Sequence, residues 1–354
     1  MATTTLERLA YGAAQGARIS WYFGQKLLAA RRSEPAPPAL RPPAERRARM
    51  PDTARILRDL GALLARDLAN IEAGYYQLPV DLLGNPLRQL RLSRRFFADL
   101  PAVDARRRER QGSEVFRALR SADGRYPRYY LQNFHYQTDG WLSDASAELY
   151  DHQVEVLFGG AADAMRRQAL VPLHHEMRGR RVKETRLLDV ACGTGRFLRE
   201  IKNNYPRLAV TGLDLSPNYL ALARRNLAPW SRAEFVKAAA EAMPLPDASF
   251  DIATCVYLFH ELPRKVRREV AREVARVLKP GGLFILVDSL QLGDEPDYDA
   301  LLEHFPAAFH EPYYADYVRD DLPALFAAAG LAHEATTLAY FSKIVSVRKT
   351  AAAG

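Results

Sequence analysis

Residues 186–200, RLLDVACGTGRFLRE, decide the fold. Leu187, Leu188, Val190 and Ala191 form an apolar run long enough for a buried strand and too short for a helix. Gly193, Thr194 and Gly195 follow, and Arg196-Phe197-Leu198-Arg199-Glu200-Ile201 then opens a helix. A strand, a Gly-rich turn and a helix in succession make half of a βαβ unit. Gly193 and Gly195 can take positive φ and, lacking Cβ, let a ligand approach the backbone. Asp189 stands at the carboxyl end of the strand, where open α/β sheets bind ligands.

A short G-x-G alone is a weak signal, and the next segment strengthens it. Residues 208–213, LAVTGL, predict a second strand that ends in Asp214, nineteen residues after Gly195. An acidic side chain at that strand tip can accept both hydroxyls of a ribose. The residues therefore point to an adenosine-type nucleotide. The turn is not the G-x-G-x-x-G of a dinucleotide site, and no G-x-x-x-x-G-K-[ST] phosphate loop occurs in the sequence.

DVACGTGRF, GLDLSPNYLALAR, AEAMPLPDASFD and RVLKPGGLFILVD, in this order and spacing, resemble the motif series of class I S-adenosylmethionine-dependent methyltransferases. The resemblance is to the UbiE-like branch, which methylates quinones, sterols and other small molecules, and it covers about residues 185–348. It implies an α/β, Rossmann-like, seven-stranded, mostly parallel sheet with a reversed strand at one edge. It also implies S-adenosylmethionine as methyl donor and S-adenosylhomocysteine as product. By that resemblance Ala191, Gly193 and Gly195 approach the donor's amino-acid and ribose parts, and Asp189 meets its ammonium directly or through water. Asp214 takes the ribose hydroxyls, Leu215 packs on the adenine, Ala240 and Glu241 edge it, and Val256 belongs to the same pocket. The family often has an acidic residue at the position of Ala239; its absence here leaves the adenine amine to another group.

At 48% hydrophobic and 26% charged, the 354 residues have an ordinary globular composition. The two cysteines, Cys192 and Cys255, form no C-x-x-C pair, which argues against a disulfide framework or zinc site and suits a reducing cytoplasm. No apolar run approaches the roughly 20 residues that span a bilayer, and Arg8, Arg18 and Lys26 interrupt any signal-peptide core. Charge is uneven. Residues 1–128 hold 24 Lys and Arg against 13 Asp and Glu, a surplus of +11, and the remainder carries −3. The basic part could meet RNA, an anionic membrane or an acidic subunit, or be a solvated helical surface.

Residues 3–32 predict a basic amphipathic helix with Leu6, Leu9, Ala10, Ala13, Ala17, Trp21, Leu27 and Leu28 as its apolar set. Such a helix can lie on a membrane, on a partner protein or on its own chain. Prolines mark 33–51 as a linker. Helices are expected over 53–73, with Thr53 as cap, over 86–99 and over 144–178 with Gly159-Gly160 as a break; DARRRER at 104–110 reads as an exposed helix end. The organisation expected is a basic helix over 1–32, a Pro-rich linker over 33–51, a helical and aromatic substrate or lid region over 52–150, the methyltransferase domain over 151–349 and a tail over 350–354. Within the domain, strands are expected near 186–191, 208–213, 233–237, 250–256 and 282–288, helices near 196–204, 217–227, 264–278 and 320–329, and a terminal antiparallel pair over 333–339 and 341–348.

Three patches are candidates for substrate contact or catalysis. YPRYYLQNFHYQTDGWLSDASAELY at 126–150 brings Tyr130, Phe134, His135, Tyr136 and Trp141, suited to a small-molecule pocket or to an aromatic seam between regions. CVYLFHE at 255–261 follows the fourth strand and brings Tyr257 and His260, the leading candidate for a base. HFPAAFHEPYYADY at 304–317, between the fifth strand and the next helix, brings His304, Phe305, Phe309, His310, Tyr313, Tyr314 and Tyr317 as a largely aromatic lid, with His310-Glu311 as a second possible acid/base pair. No metal site is expected, since none of the patches has H-x-x-x-H or clustered Cys spacing.

The reading is a cytoplasmic, or membrane-peripheral, methyltransferase acting on a small apolar or aromatic acceptor such as a quinone, polyketide or isoprenoid by in-line displacement. Nucleic acid is not the favoured partner, because no RNA-binding module is recognisable. Rivals are an RNA or protein methyltransferase docking through the basic region, a non-catalytic donor-binding partner, and an enzyme that uses the donor for a non-methylating reaction. A homodimer, and a membrane or partner-protein contact through residues 3–32, stay open.

Overall fold

The computed structural model describes residues 4–34, 37–79, 84–119 and 126–350. Seven strands, β1 (Arg186–Val190), β2 (Ala209–Asp214), β3 (Ala233–Lys237), β4 (Phe250–Val256), β5 (Leu278–Ser289), β6 (Leu331–Ala339) and β7 (Ser342–Lys349), form one sheet in the order β3-β2-β1-β4-β5-β7-β6. β1 to β5 pair in parallel, and β7 runs antiparallel to both β5 and β6. The reversed strand is therefore β7, one position in from the edge, and β6 takes the edge itself.

Alternation along β1 shows why these residues make a central strand. Leu187 packs with Leu198, Ile201, Leu220 and Ile285 on one face, and Leu188 with Val270, Val274, Phe284 and Phe326 on the other. Helices Arg196–Asn204 and Pro217–Leu227 cover the first face, and Arg264–Val277 and Leu322–Ala327 the second. Both faces of a parallel sheet need such cover, so its strands read as continuous apolar runs. Gly195 begins the helix after β1 at φ 73°, and a Cβ there would sit 2.7 Å from Leu227 Cδ1. Its lack of a side chain serves the packing of two helices.

The structure corrects several local expectations. Asp52, and not Thr53, caps the helix Thr53–Glu72, accepting from the Arg55 amide at 2.7 Å. The helix expected over 86–99 runs on to Glu109, so the charge run 104–110 is its last turn. That turn is anchored and not merely solvated: Asp104 is buried, and Arg106 donates to Thr138 Oγ1 at 2.9 Å and the Tyr136 carbonyl at 3.2 Å. The Pro-rich stretch carries a short 3-10 turn, Pro38–Leu40, and a helix, Ala44–Ala48. Residues 304–317 are largely helical, in Asp299–Ala308 and Tyr314–Tyr317. The segment 144–178 is three helices, Asp144–Leu157, Ala162–Arg167 and Leu170–Met177, and the first of them ends just before Gly159-Gly160. Apart from Thr350, the expected tail lies outside the described residues.

The first helix, Thr5–Arg32, lies on its own chain with the opposite face to the one its apolar pattern predicts. Tyr11, Gln15, Arg18, Tyr22 and Gln25 point inward, whereas Leu6, Leu9, Trp21, Leu27 and Leu28 are exposed. Polar partners explain the choice. Tyr11 donates to Asp67 at 2.6 Å, Tyr22 to Gln89 at 3.0 Å, and Arg18 reaches Glu155 and Asp163 at 2.5 and 2.7 Å. Among the described residues, no helix is long and apolar enough to cross a membrane.

Asp67 ties three helices together. Fully buried, it accepts from Tyr11, from Tyr76 at 2.8 Å and from the Arg167 fork at 3.0 and 2.6 Å. Removing one partner of a buried pair leaves the other charge uncompensated and costs about 3–5 kcal/mol. Asp67→Ala is expected to lower unfolding stability by that amount in a denaturant titration; a loss of about 1 kcal/mol or less would show that Arg167 finds a substitute partner.

Candidate active site

Two cavities meet at the carboxyl ends of β1, β2 and β4. The first has a volume of about 100 Å³ and is floored by the turns after these strands: Ala191 and Gly193, Asp214 and Leu215, Val256 and Tyr257. Ala238, Ala239 and Ala240 wall one side, and Tyr130, Phe134, Trp141, Tyr150 and Tyr219 cover it. Gly193 lies at φ 54°, and a Cβ built there would meet only Tyr219, at 4.0 Å, so the backbone stands open toward this space. Asp214 is fixed by the turn it faces. Its Oδ2 accepts from the Gly193 amide at 2.9 Å and its Oδ1 from the Ser216 amide at 2.8 Å. Burial raises its pKa, and these amide bonds oppose the rise.

The aromatic cover is pinned by hydrogen bonds. Asn133 Nδ2 donates to the Gln137 carbonyl at 2.9 Å, Ser216 Oγ donates to the Trp141 carbonyl, and Ser146 and Tyr219 hydroxyls meet at 2.9 Å. Trp141 stacks on Phe134 and meets Tyr150 and Tyr219 edge-on, with centroids 5.3–5.9 Å apart. His135 and Tyr136 take φ of 55° and 56°, a left-handed conformation uncommon for residues with a Cβ. The segment is thus both a seam and a pocket wall.

The second cavity, about 300 Å³, is lined mainly by Val154, Leu157, Phe158, Leu301, Leu302, Phe305, Phe309 and Phe341. His135, His260, Glu261 and Tyr314 add polar groups, and Tyr150, Tyr257 and Glu261 line both cavities. His260 comes from the short turn after β4, and Asp288 from the end of β5 orients it. Asp288 Oδ1 stands 2.6 Å from His260 Nδ1, and its two oxygens also accept from the Phe259 and Ser289 amides. Burial alone would lower the His260 pKa; Asp288, with help from Glu261 and Glu311, lifts it to about 9. Burial pushes Glu261 up to about 8 against the pull of His260, and pushes Glu311 well above the carboxylate range. His135 falls to about 3, through burial first and then the neighbouring histidines.

The structure sorts the sequence candidates. Ala191, Gly193, Asp214, Leu215, Ala240 and Val256 line the first cavity. Asp189 and Gly195 do not: Asp189 is buried and accepts from Thr254 Oγ1 at 2.7 Å, and Gly195 faces the helix Pro217–Leu227. Glu241 is also off the wall, bound by the Tyr129 hydroxyl at 2.7 and 2.8 Å. Tyr130, Phe134 and Trp141, expected at the substrate, lie over the first cavity, while His135, Tyr257, His260 and Tyr314 line the second. Tyr136, Tyr313 and His310 line neither, and His310 pairs with Gln132 at 3.0 Å. As base, His260 meets an obstacle: a group with a pKa of about 9 carries its proton at neutral pH. Reasoning from sequence missed Asp288, Tyr219 and the second-cavity role of Lys26 and Phe158. Only Asp288 had a visible signal, an acid at a strand tip.

Residues 187–282 match the family model described as "Methyltransferase domain". The chain is 35% identical over 162 residues to the ubiquinone/menaquinone biosynthesis C-methyltransferase UbiE of Methylobacterium nodulans, covering 45% of this chain and 62% of that protein. It is 32% identical over 147 residues to the fatty-acid O-methyltransferase of Mycolicibacterium smegmatis, covering 41% and 52%. A crystal structure of a SAM-dependent methyltransferase from Aquifex aeolicus is 16% identical, covers 59% of this chain and 100% of that one, and superposes with a TM-score of 0.43. Over residues 187–282 the chain is thus similar to methyltransferase domains. Its matched segment spans less than two thirds of the length of these curated relatives.

Asp288→Asn removes the charge that holds the His260 proton while keeping the shape. The His260 imidazole is then expected to titrate well below its value in the parent chain, because only Glu261 and Glu311 are left to oppose burial; imidazole NMR across pH reads this directly. Titration still near 9 in the variant would assign the shift to Glu261 and Glu311.

Proposed function

We propose that this chain transfers a methyl group from S-adenosylmethionine to a small, mainly apolar or aromatic acceptor held in the second cavity. The observation that carries this reading is the wall common to both cavities, Tyr150, Tyr257 and Glu261. The sulfonium of the donor supplies an activated methyl group; the protein supplies alignment and dry walls. Asp214 would accept the ribose hydroxyls, with Ala191 and Gly193 beside the amino-acid part. Leu215 and Ala240 would hold the adenine, while Tyr130, Phe134 and Trp141 close over the donor. Asp189 would act only through water, since Thr254 occupies one of its oxygens. His260, kept protonated by Asp288, would stand as a positive partner for an acceptor oxygen that binds as its anion. The names of the relatives, a quinone C-methyltransferase and a fatty-acid O-methyltransferase, support acceptors of this apolar kind.

A macromolecular acceptor fits less well. Arg18, Arg55 and Arg106, all in the basic N-terminal part, are engaged by Glu155 and Asp163, by Asp59 and Glu295, and by Glu114 within the chain. Two buried free cysteines fit a reducing, cytoplasmic setting, and the exposed Leu6, Leu9 and Trp21 leave room for a peripheral membrane contact.

Donor carrying a labelled methyl group, incubated with the protein and an extract of its own host, is expected to label an organic-soluble compound. Asp214→Ala should abolish that label and weaken donor binding about 10- to 100-fold in a calorimetric titration, the scale of losing hydrogen bonds to a charged group. Label in RNA or protein would overturn the acceptor class, and near-wild-type donor affinity in the variant would overturn the assignment of the first cavity. Leu302→Trp, which fills the second cavity, should raise the acceptor KM at least about tenfold and leave donor affinity unchanged. An unchanged KM would place the acceptor elsewhere.

A further inference from the structure

Behind the second cavity, three side chains from distant parts of the chain converge. The ligating atoms of His135, Glu261 and Glu311 all lie within 4.8 Å of one another. His135 comes from the strained aromatic loop, Glu261 from the turn after β4, and Glu311 from the segment after the helix Asp299–Ala308. None of their sequence spacings resembles a metal motif, so the convergence exists only in the fold.

Glu311 sets this cluster apart from an ordinary acidic patch. Its side chain is fully buried, yet neither carboxylate oxygen has a hydrogen-bond partner. His135 Nε2 stands 3.2 Å from Oε1, in contact but off hydrogen-bond geometry. Leaving a buried carboxylate without donors costs several kcal/mol, so native structures nearly always pair or neutralise such groups. An imidazole and two carboxyl groups converge on one point, and the unpartnered Glu311 oxygens give that point an unused donor set for a cation.

We infer that His135, Glu261 and Glu311 form a binding site for one divalent first-row transition-metal ion, placed at the edge of the acceptor cavity. One imidazole nitrogen with two carboxylate oxygens suits ions such as Mn²⁺, Co²⁺ or Zn²⁺ better than Ca²⁺, which takes six to eight oxygens. Two ligands on one ion with bonds of about 2.0–2.2 Å stand about 3.0–3.5 Å apart at tetrahedral or cis-octahedral angles; His135 Nε2 and Glu311 Oε1 already stand at 3.2 Å, and the remaining pairs, within 4.8 Å, close by side-chain rotation. His260 Nε2 lies nearby, 4.0 Å from Glu261 Oε1, but Asp288 keeps that imidazole protonated, so it stands outside the ligand set. His135 and Glu261 line the second cavity, so an ion here would face the acceptor and act as a Lewis acid toward an acceptor oxygen. The site's use in catalysis rests on the proposed acceptor cavity; the binding of the ion does not.

The test uses the full chain after chelator treatment, titrated calorimetrically with MnCl₂, and separately with CoCl₂ while the visible spectrum is followed. One ion per chain is expected, with cobalt bands of a site containing nitrogen. Glu311→Gln and His135→Gln should each weaken binding by more than about tenfold. His310→Ala, outside the cluster, should leave it unchanged. Thermal unfolding and donor titration confirm that each variant is folded. Absence of stoichiometric binding up to about 1 mM, or binding that survives both cluster substitutions, would overturn the site. Because neither readout involves methyl transfer, failure here leaves the proposed reaction intact, and failure of the labelling experiment leaves the metal result intact.

Discussion

The Asp163 carboxylate holds the first helix against the loop that follows β1. It is buried, and it takes Arg18 from the first helix at 2.7 Å, Arg166 from its own helix at 3.0 Å and Arg196 at 3.0 Å. Arg196 is the first residue of the helix that follows Gly195, so one carboxylate joins the start of the chain to the turn that floors the first cavity. Burial alone would raise the Asp163 pKa, but Arg196, Arg18 and Arg166 hold it well below the carboxylate range. The neighbouring Glu155 shares these cations and accepts from the Asp163 amide at 3.1 Å. Buried ionic clusters of this type add little net stability relative to apolar packing. What this one does is fix geometry: it sets the first helix polar face inward and keeps the helices that roof the cavities in one register with the sheet.

That arrangement explains the division of labour at the sheet edge. The turns after β1 and β2 build the first cavity from small residues and one acid. The turn after β4 contributes to both cavities, and the end of β5 contributes Asp288, whose work is to orient His260. The apolar bulk of the second cavity comes from elsewhere, from Asp144–Leu157 and Asp299–Ala308. The first cavity is thus attached to strand ends, and the apolar shape of the second to helices.

The sheet was readable because its signals are local. Leu187, Leu188 and Val190 declare a buried strand within a few residues, and Ser216-Pro217 declares the next helix start, where Ser216 accepts from the Tyr219 amide. Gly193 and Asp214, on the floor of the first cavity, were readable for the same reason. The second cavity was legible only in part: His135, Tyr257, His260 and Tyr314 stood among the candidates, but its apolar walls meet across more than a hundred residues of sequence, as Phe158 does with Phe341. The first helix was legible as a helix, but its buried face was not, because that face is held by side-chain hydrogen bonds, which periodicity does not report. Gly195 was assigned to the ligand on motif grounds, although packing on Leu227 already requires it.

The most direct test of this account is a crystal structure of the full chain with S-adenosylhomocysteine. The account predicts the ribose hydroxyls on Asp214, the adenine against Leu215 and Ala240, and the sulfur at the wall formed by Tyr150, Tyr257 and Glu261, facing the second cavity. A product molecule bound with its sulfur turned away from that wall, or bound without contact to Asp214, would contradict it.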